Sequence, residues 1–364
     1  MRKSYLDNIR WVTVVLVVIY HVLYMYNGEG ILGTLGKITN LEVQYYDVYQ
    51  YIVYPWFMVV LFIVSGISAR YALDKQTGKE FIKARTVKLL VPTTIGLLVF
   101  QFIQGYVNAS FGDPQLNEVP LPIKFMIYCL SGIGVLWYIQ MLWLFSLAIV
   151  LIKKIDKDRL WNVCKKTPVW LIVLLGAAVY GAGQILNTPI ICVYRFGLYF
   201  LTFLFGYFIF SHDEVIERMK KFFWLFLIAA AGLCIAFCVM YFGYNYADAP
   251  VNRTPVFLLY SWFGSLAMIA CFARFFDFSN GFTTWMSKNS WGLYIFHYLG
   301  ISTVALIFAK TGLLPAWACY LLSAVMGFVF GYGLYFIISK IPFFRWAVLG
   351  ISKKKRKESK DVQG

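Results

Sequence analysis

The stretch Ile9-Arg10-Trp11-Val12-Thr13-Val14-Val15-Leu16-Val17-Val18-Ile19-Tyr20-His21-Val22-Leu23-Tyr24-Met25-Tyr26 decides the fold. Its length is close to the roughly 20 helical residues that cross a bilayer core. Arg2 and Lys3 precede it, but no small-residue cleavage site follows, so it reads as a membrane span kept in the mature chain. With this first run taken as 8–26, similar runs recur at 50–70, 89–107, 132–152, 168–187, 194–211, 222–245, 256–276, 289–309 and 314–338. They are too long for barrel strands, and backbone groups in lipid must bond within the chain, so helices are expected. The expected architecture is all-α: a polytopic membrane protein with about ten transmembrane helices and both termini cytoplasmic.

Composition points the same way. Of 364 residues, 60% are hydrophobic and only 14% charged, whereas soluble domains carry roughly 25% charged residues. A soluble helical bundle would lack the polar surface to clothe itself. The expected spans place the net charge of +16 almost wholly on one side. The opposite side keeps Lys37, Lys124, Arg195, Arg253 and Lys310 against six acids, while loops 70–88, 153–166 and 218–221 and the C-terminal tail are basic. This is the positive-inside pattern. The run Lys353-Lys354-Lys355-Arg356-Lys357 then reads as an anchor at anionic membrane lipids rather than a nucleic-acid contact. Two outer segments, 27–49 and the turn-rich 108–131 with Gly112, Asp113 and Pro114, either connect spans or roof a cleft. Seven cysteines form no CxxC pair, so neither a metal site nor a disulfide framework is expected.

Ionisable groups within a span are costly and usually functional. The first run carries Asp7, Arg10 and His21. Asp7 and Arg10 are three apart and can pair on one face. Arg10 and His21 are eleven apart, which at about 100° per residue returns them to nearly the same face. The helical rise separates them by about 16 Å. One stripe thus holds an arginine near the cytoplasmic rim and a histidine deep toward the outer side, with room for a coenzyme arm between. Taken singly, Arg10 reads as a snorkelling residue, and His21 reads equally well as a packed or a functional histidine; the pair points to function. In the ninth run Ser290, Tyr294 and His297 make a polar seam, which bundle packing would also explain. Arg85 and Lys88, with Pro92, stand where the third run meets the membrane and either clamp phosphates or serve as ordinary inside charges. The GxSxG signature of serine nucleophiles is absent; Val64-Ser65-Gly66-Ile67-Ser68 does not fit it.

Tyr5-Leu6-Asp7-Asn8-Ile9-Arg10, followed by an apolar helix and His21, resembles the first helix of the acyltransferase-3 family of membrane acyltransferases, in which an Arg and a His are separated by ten residues. Arg85, Lys88 and Pro92 resemble the basic cluster that follows the family's second span. Leu136, Trp137 and Tyr138 are loosely similar to the triplet that opens its fourth. Ser290, Gly292, Tyr294 and His297 resemble its Gly-x-Tyr-x-x-His sequence. The resemblance runs in order from residue 5 to about 298. Lys88 stands where an arginine is commoner, keeping the charge but losing the bidentate fork.

The resemblance implies an enzyme, an acyl-CoA-dependent O-acyltransferase. It would move an acetyl or succinyl group from cytoplasmic acyl-CoA to a hydroxyl of a glycan or lipid-linked saccharide, at or across the membrane, with glucan-modifying enzymes as the nearest subgroup. The division expected is a transmembrane acyltransferase domain at 1–340 and a basic cytoplasmic tail at 341–364. The location implied is a cell membrane of the bacterial inner-membrane type. Acyl-CoA, the saccharide acceptor and membrane lipids are the expected partners, with no metal and no nucleic acid. His21 then serves as general base, and Asp7 balances Arg10. Arg10, Arg85 and Lys88 meet the donor's phosphates, and Tyr294 and His297 hold the acyl carbonyl or the acceptor. Direct transfer is preferred over an acyl-histidine. The competing class is a transporter or flippase for a small anionic or lipid-linked solute, with the same Arg and His as binding site or proton relay.

Overall fold

The computed structural model describes residues 3–31, 34–111, 118–187 and 194–352. The first apolar run forms α1 (Ser4–Met25) and the second α2 (Val48–Leu73), entered through a short 3-10 turn at Tyr45–Asp47. A capping box between Thr77 and Glu80 starts α3 (Gly78–Arg85), satisfying two free N–H groups of its first turn. The chain then passes through π-helical turns at Thr86–Leu90 and Leu97–Gln101 into α4 (Phe102–Ala109). Next come α5 (Leu121–Ser131), α6 (Trp137–Asp156), α7 (Arg159–Cys164), α8 (Val169–Gln184) and α9 (Phe196–Phe208). The last six are α10 (Asp213–Lys221), α11 (Phe223–Tyr241), α12 (Pro255–Phe275), α13 (Gly281–Val304), α14 (Ala316–Lys340) and α15 (Pro342–Ala347).

Seven helical segments among the described residues are long and apolar enough to cross a membrane, which corrects the expected count of about ten. They are Ser4–Met25, Tyr45–Leu73, Gly134–Asp156, Phe223–Tyr241, Pro255–Phe275, Gly281–Ala309 and Ala316–Lys340. The other three expected runs do not form single helices of that length, for local backbone reasons. In 89–107, Pro92 supplies no N–H and excludes a regular helix one turn earlier, so the chain relaxes through two π-helical turns on either side of it. The run 168–187 yields the 16 residues of α8, and 194–211 the 13 of α9. At the helical rise these reach about 24 and 20 Å, short of the roughly 30 Å hydrocarbon core. Their apolar composition continues past the helix ends, through the Asn187–Arg195 bridge and into Ile209 and Phe210.

Contacts define two ends of the bundle. At the basic end Lys3 pairs with Asp213 at 2.9 Å, Lys165 with Glu214 at 3.0 Å, and Lys153 donates to the Leu73 carbonyl at 3.1 Å. Lys88 reaches the Leu349 carbonyl there at 3.4 Å. At the other end Tyr51 donates to the Tyr244 carbonyl at 2.8 Å and Gln184 to that of Arg253 at 2.9 Å. Lys3 and Leu349, near the two termini, therefore share the basic end. The run Lys353–Lys357 and the turn residues Gly112, Asp113 and Pro114 lie outside the described residues.

The central post is α2, packed by α1, α9, α11 and α12. Gly66 and Gly206 let α2 and α9 touch backbone to backbone. A Cβ on Gly66 would strike the Phe203 carbonyl, and one on Gly206 the Ile63 carbonyl. In lipid, where tails are as apolar as leucine, such close approach supplies the packing that burial supplies in water.

Candidate functional site

The site forms where α1 crosses α13. Both helices are held closely: Gly300 leaves room for the Met326 carbonyl, so α14 presses on α13. His21 and His297, 276 residues apart, meet there, with His21 Nδ1 and His297 Nε2 at 2.9 Å. The second imidazole nitrogen, His297 Nδ1, lies 2.9 Å from the Leu293 carbonyl and 3.0 Å from that of Tyr294. A carbonyl only accepts, so His297 Nδ1 carries the proton and its Nε2 is the acceptor. His21 Nδ1–H must then be the donor, which leaves the lone pair of neutral His21 on Nε2. One backbone-anchored ring thus fixes the tautomer of the other. His297 is fully buried at 0% exposure, while His21 remains partly exposed. Tyr20, Tyr24 and Tyr298 surround His21, with ring centroids 5.2, 5.9 and 5.1 Å away.

Tyr294 sits one turn below His297 with its hydroxyl donating to the Val135 carbonyl and its ring stacked on Trp291 at 5.9 Å. The structure thus places His21, His297 and the Tyr294 carbonyl together. Asp7 is at the far end of α1, where it pairs with Arg10 at 2.7 Å. Fourteen residues of helix, about 21 Å, separate Asp7 from His21, so Asp7 lies with the guanidinium and not with the histidines. Arg10 also donates to Ser68 on α2.

Arg85 is pushed down to about 10 by burial and, next, by the nearby charge of Arg10. Its guanidinium lies over the Phe81 ring at 5.0 Å, and no carboxylate pairs with it among the described residues. With Asp7 paired to Arg10 and no carboxylate paired to Arg85 among the described residues, the two arginines form a net cationic pair. Lys88 stands apart from them, toward α13. Its ammonium rests over the Trp291 ring at 4.0 Å, and burial holds it down at about 8. The Thr86–Leu90 π-turn turns Lys88 toward α13 while Arg85 stays with α1.

A cleft of about 750 Å³ opens at the basic end, lined by Lys3, Asp7, Arg10, Ser68, Lys75 and His212 among others. The sequence reading missed this cleft and the stack beside it, in which Trp161 lies 4.1 Å from His212 and carries the Arg70 guanidinium at 4.0 Å. It also set aside Ser65 and Ser68, whose signal is two hydroxyls three apart in an apolar helix. No cluster of three or more His, Cys, Asp or Glu residues able to hold a metal occurs among the described residues.

Over residues 3–339 the chain matches the acyltransferase-3 family, described as an acyltransferase domain. No curated protein and no solved structure matches it.

Proposed function

The chain belongs to the acyltransferase-3 family of membrane acyltransferases, and from that premise we propose that it transfers an acyl group from acyl-CoA to a saccharide hydroxyl, with His21 as general base. The observation that carries this reading is the His21–His297 pair, set about 16 Å along α1 from the Arg10–Arg85 cationic site. The donor's phosphates bind the arginines, with Lys88 as a further contact beside Trp291, and its thioester reaches the histidines. Tyr24, the partly exposed one of the three tyrosines around His21, would offer its ring to a sugar of a glycan or lipid-linked saccharide arriving from the other end. The basic end, where Lys3 and Leu349 lie, faces the cytoplasm, the side on which lysines and arginines are retained. The membrane is then a bacterial inner membrane, with acetyl or succinyl as the transferred group.

His21 Nε2 takes the acceptor's hydroxyl proton as that oxygen bonds to the thioester carbon. The tetrahedral intermediate collapses, the C–S bond breaks, and the departing thiolate regains the proton from His21. The products are an ester and a free thiol. His297 touches neither substrate. It accepts from His21 Nδ1–H throughout and so steadies the imidazolium that forms. In this reading the transfer is direct, with Nε2, the His21 nitrogen not bonded to His297, as the proton acceptor.

The test is release of coenzyme A thiol from acetyl-CoA or succinyl-CoA by purified protein in nanodiscs, with isolated cell-envelope saccharide as acceptor. Thiol release that depends on acceptor and vanishes in His21→Ala is expected. Neither thioester being bound nor consumed by the wild type would overturn the reading.

A further inference from the structure

Along α2, every residue from Pro55 to Arg70 is buried except Ser65 and Ser68. They are three apart, hence on one face. Over this length Ser65 and Ser68 are thus the two residues of the central post left partly exposed. Ser68 lines the basic-end cleft, accepts from Arg10, and donates to the Val64 carbonyl at 2.7 Å. Ser65, about one turn further inward, shares a 2.8 Å hydrogen bond with the Tyr138 hydroxyl. Tyr138 lies within electrostatic reach of both Arg10 and Arg85, and its ring meets Tyr294 at 6.0 Å. Tyr294 is one turn from His297. These residues form a chain of contacts that links cleft-lining Ser68, through Ser65, Tyr138 and Tyr294, to His297.

We propose that the Ser65–Tyr138 pair is a specificity-determining contact for the amide-bearing arm of the thioester donor, holding that arm midway between the arginines and His21. The proposal rests on the acyl-CoA reading above. An apolar passage would fit a fatty chain, whereas an arm with secondary amides needs partners for both N–H and C=O in a site without bulk water. Two rotatable hydroxyls bonded to each other supply either. When Tyr138 donates to Ser65, the Ser65 O–H is free for an amide carbonyl. When Ser65 donates to Tyr138, the Ser65 lone pairs are free for an amide N–H. Tyr138 has the Leu61 carbonyl at 3.3 Å as a second acceptor in that state.

Tyr138→Phe tests this without opening a cavity, since the ring contacts with Phe62 and Tyr294 are kept; Ser65→Ala removes the partner. Thiol release is measured with acetyl-CoA and with the acetyl thioester of mercaptoethanol, which has no amide. In both variants KM for acetyl-CoA is expected to rise about tenfold, as loss of one neutral hydrogen bond predicts, with kcat/KM for the amide-free thioester unchanged. Equal changes with both donors, or no change with either, would overturn the proposal while leaving the acyltransfer reading intact. A wild type that uses neither thioester would overturn both.

Discussion

His21 and His297 look equivalent in composition and are not equivalent in place. His297 is fully buried with Nδ1–H fixed on two carbonyls, and in the proposed reaction it orients His21. His297→Ala should therefore lower the transfer rate about 10²-fold, at the mild end of general-base losses, with KM for acetyl-CoA unchanged in steady-state kinetics. A KM effect of the same size would place His297 at the donor instead. Arg85 has no acid partner among the described residues, and removing a charge-assisted phosphate contact costs about 1.5–3 kcal/mol. Calorimetry on Arg85→Ala should accordingly find coenzyme A bound about tenfold to a hundredfold more weakly. Lys88 adds a pH signature. Burial holds it at about 8, so its charge disfavours the folded state below pH 8, and that cost fades as pH rises toward the ordinary lysine value. Anion binding runs the other way, because it needs the charge. Acetyl-CoA affinity should fall as pH rises through about 8 in the wild type and stay level in Lys88→Arg, whose charge persists. A fall of equal size in Lys88→Arg would remove Lys88 from the donor site.

At the scale of elements, the α2–α9 contact carries the site's geometry, since α2 presents Ser65 and Ser68. Gly66→Ala drives a methyl into the Phe203 carbonyl. Overpacking of this kind costs about 1–3 kcal/mol, so thermal unfolding in detergent should come several degrees earlier. Gly232→Ala on α11 meets open space and should leave the transition where it is; equal shifts in both would mean the contact is not special. Elements also show where sequence was readable. The seven long helices were plain in the apolar runs. The shortness of α8 and α9 was not, because their flanks are apolar too. The break near Pro92 had a local signal, but its π-helical resolution depends on packing. Each histidine stood out alone, being ionisable inside an apolar run. Their hydrogen bond did not, since nothing local to residue 21 or 297 specifies how α1 crosses α13.

Across the whole molecule, charge and chemistry are divided between two ends. Lys3 and Leu349 share the basic end, with Lys37 on the first connector beyond the far end of α1. Cysteines placed at Ser352 and Lys37, in a chain otherwise free of cysteine, should label from opposite sides of sealed vesicles, with Ser352 reached only from the cytoplasmic side. Labelling from one side would contradict the orientation. In the proposed reaction the donor rises from the basic end and the acceptor meets it at His21. The most direct test is His21→Asn at wild-type abundance, assayed for transfer from radiolabelled acetyl-CoA and for coenzyme A binding in the same preparation. Asparagine keeps polarity and much of the volume but takes no proton at neutral pH. The account predicts binding within about twofold of wild type and a transfer rate lower by about 10²–10⁴-fold. Transfer near the wild-type rate would contradict it.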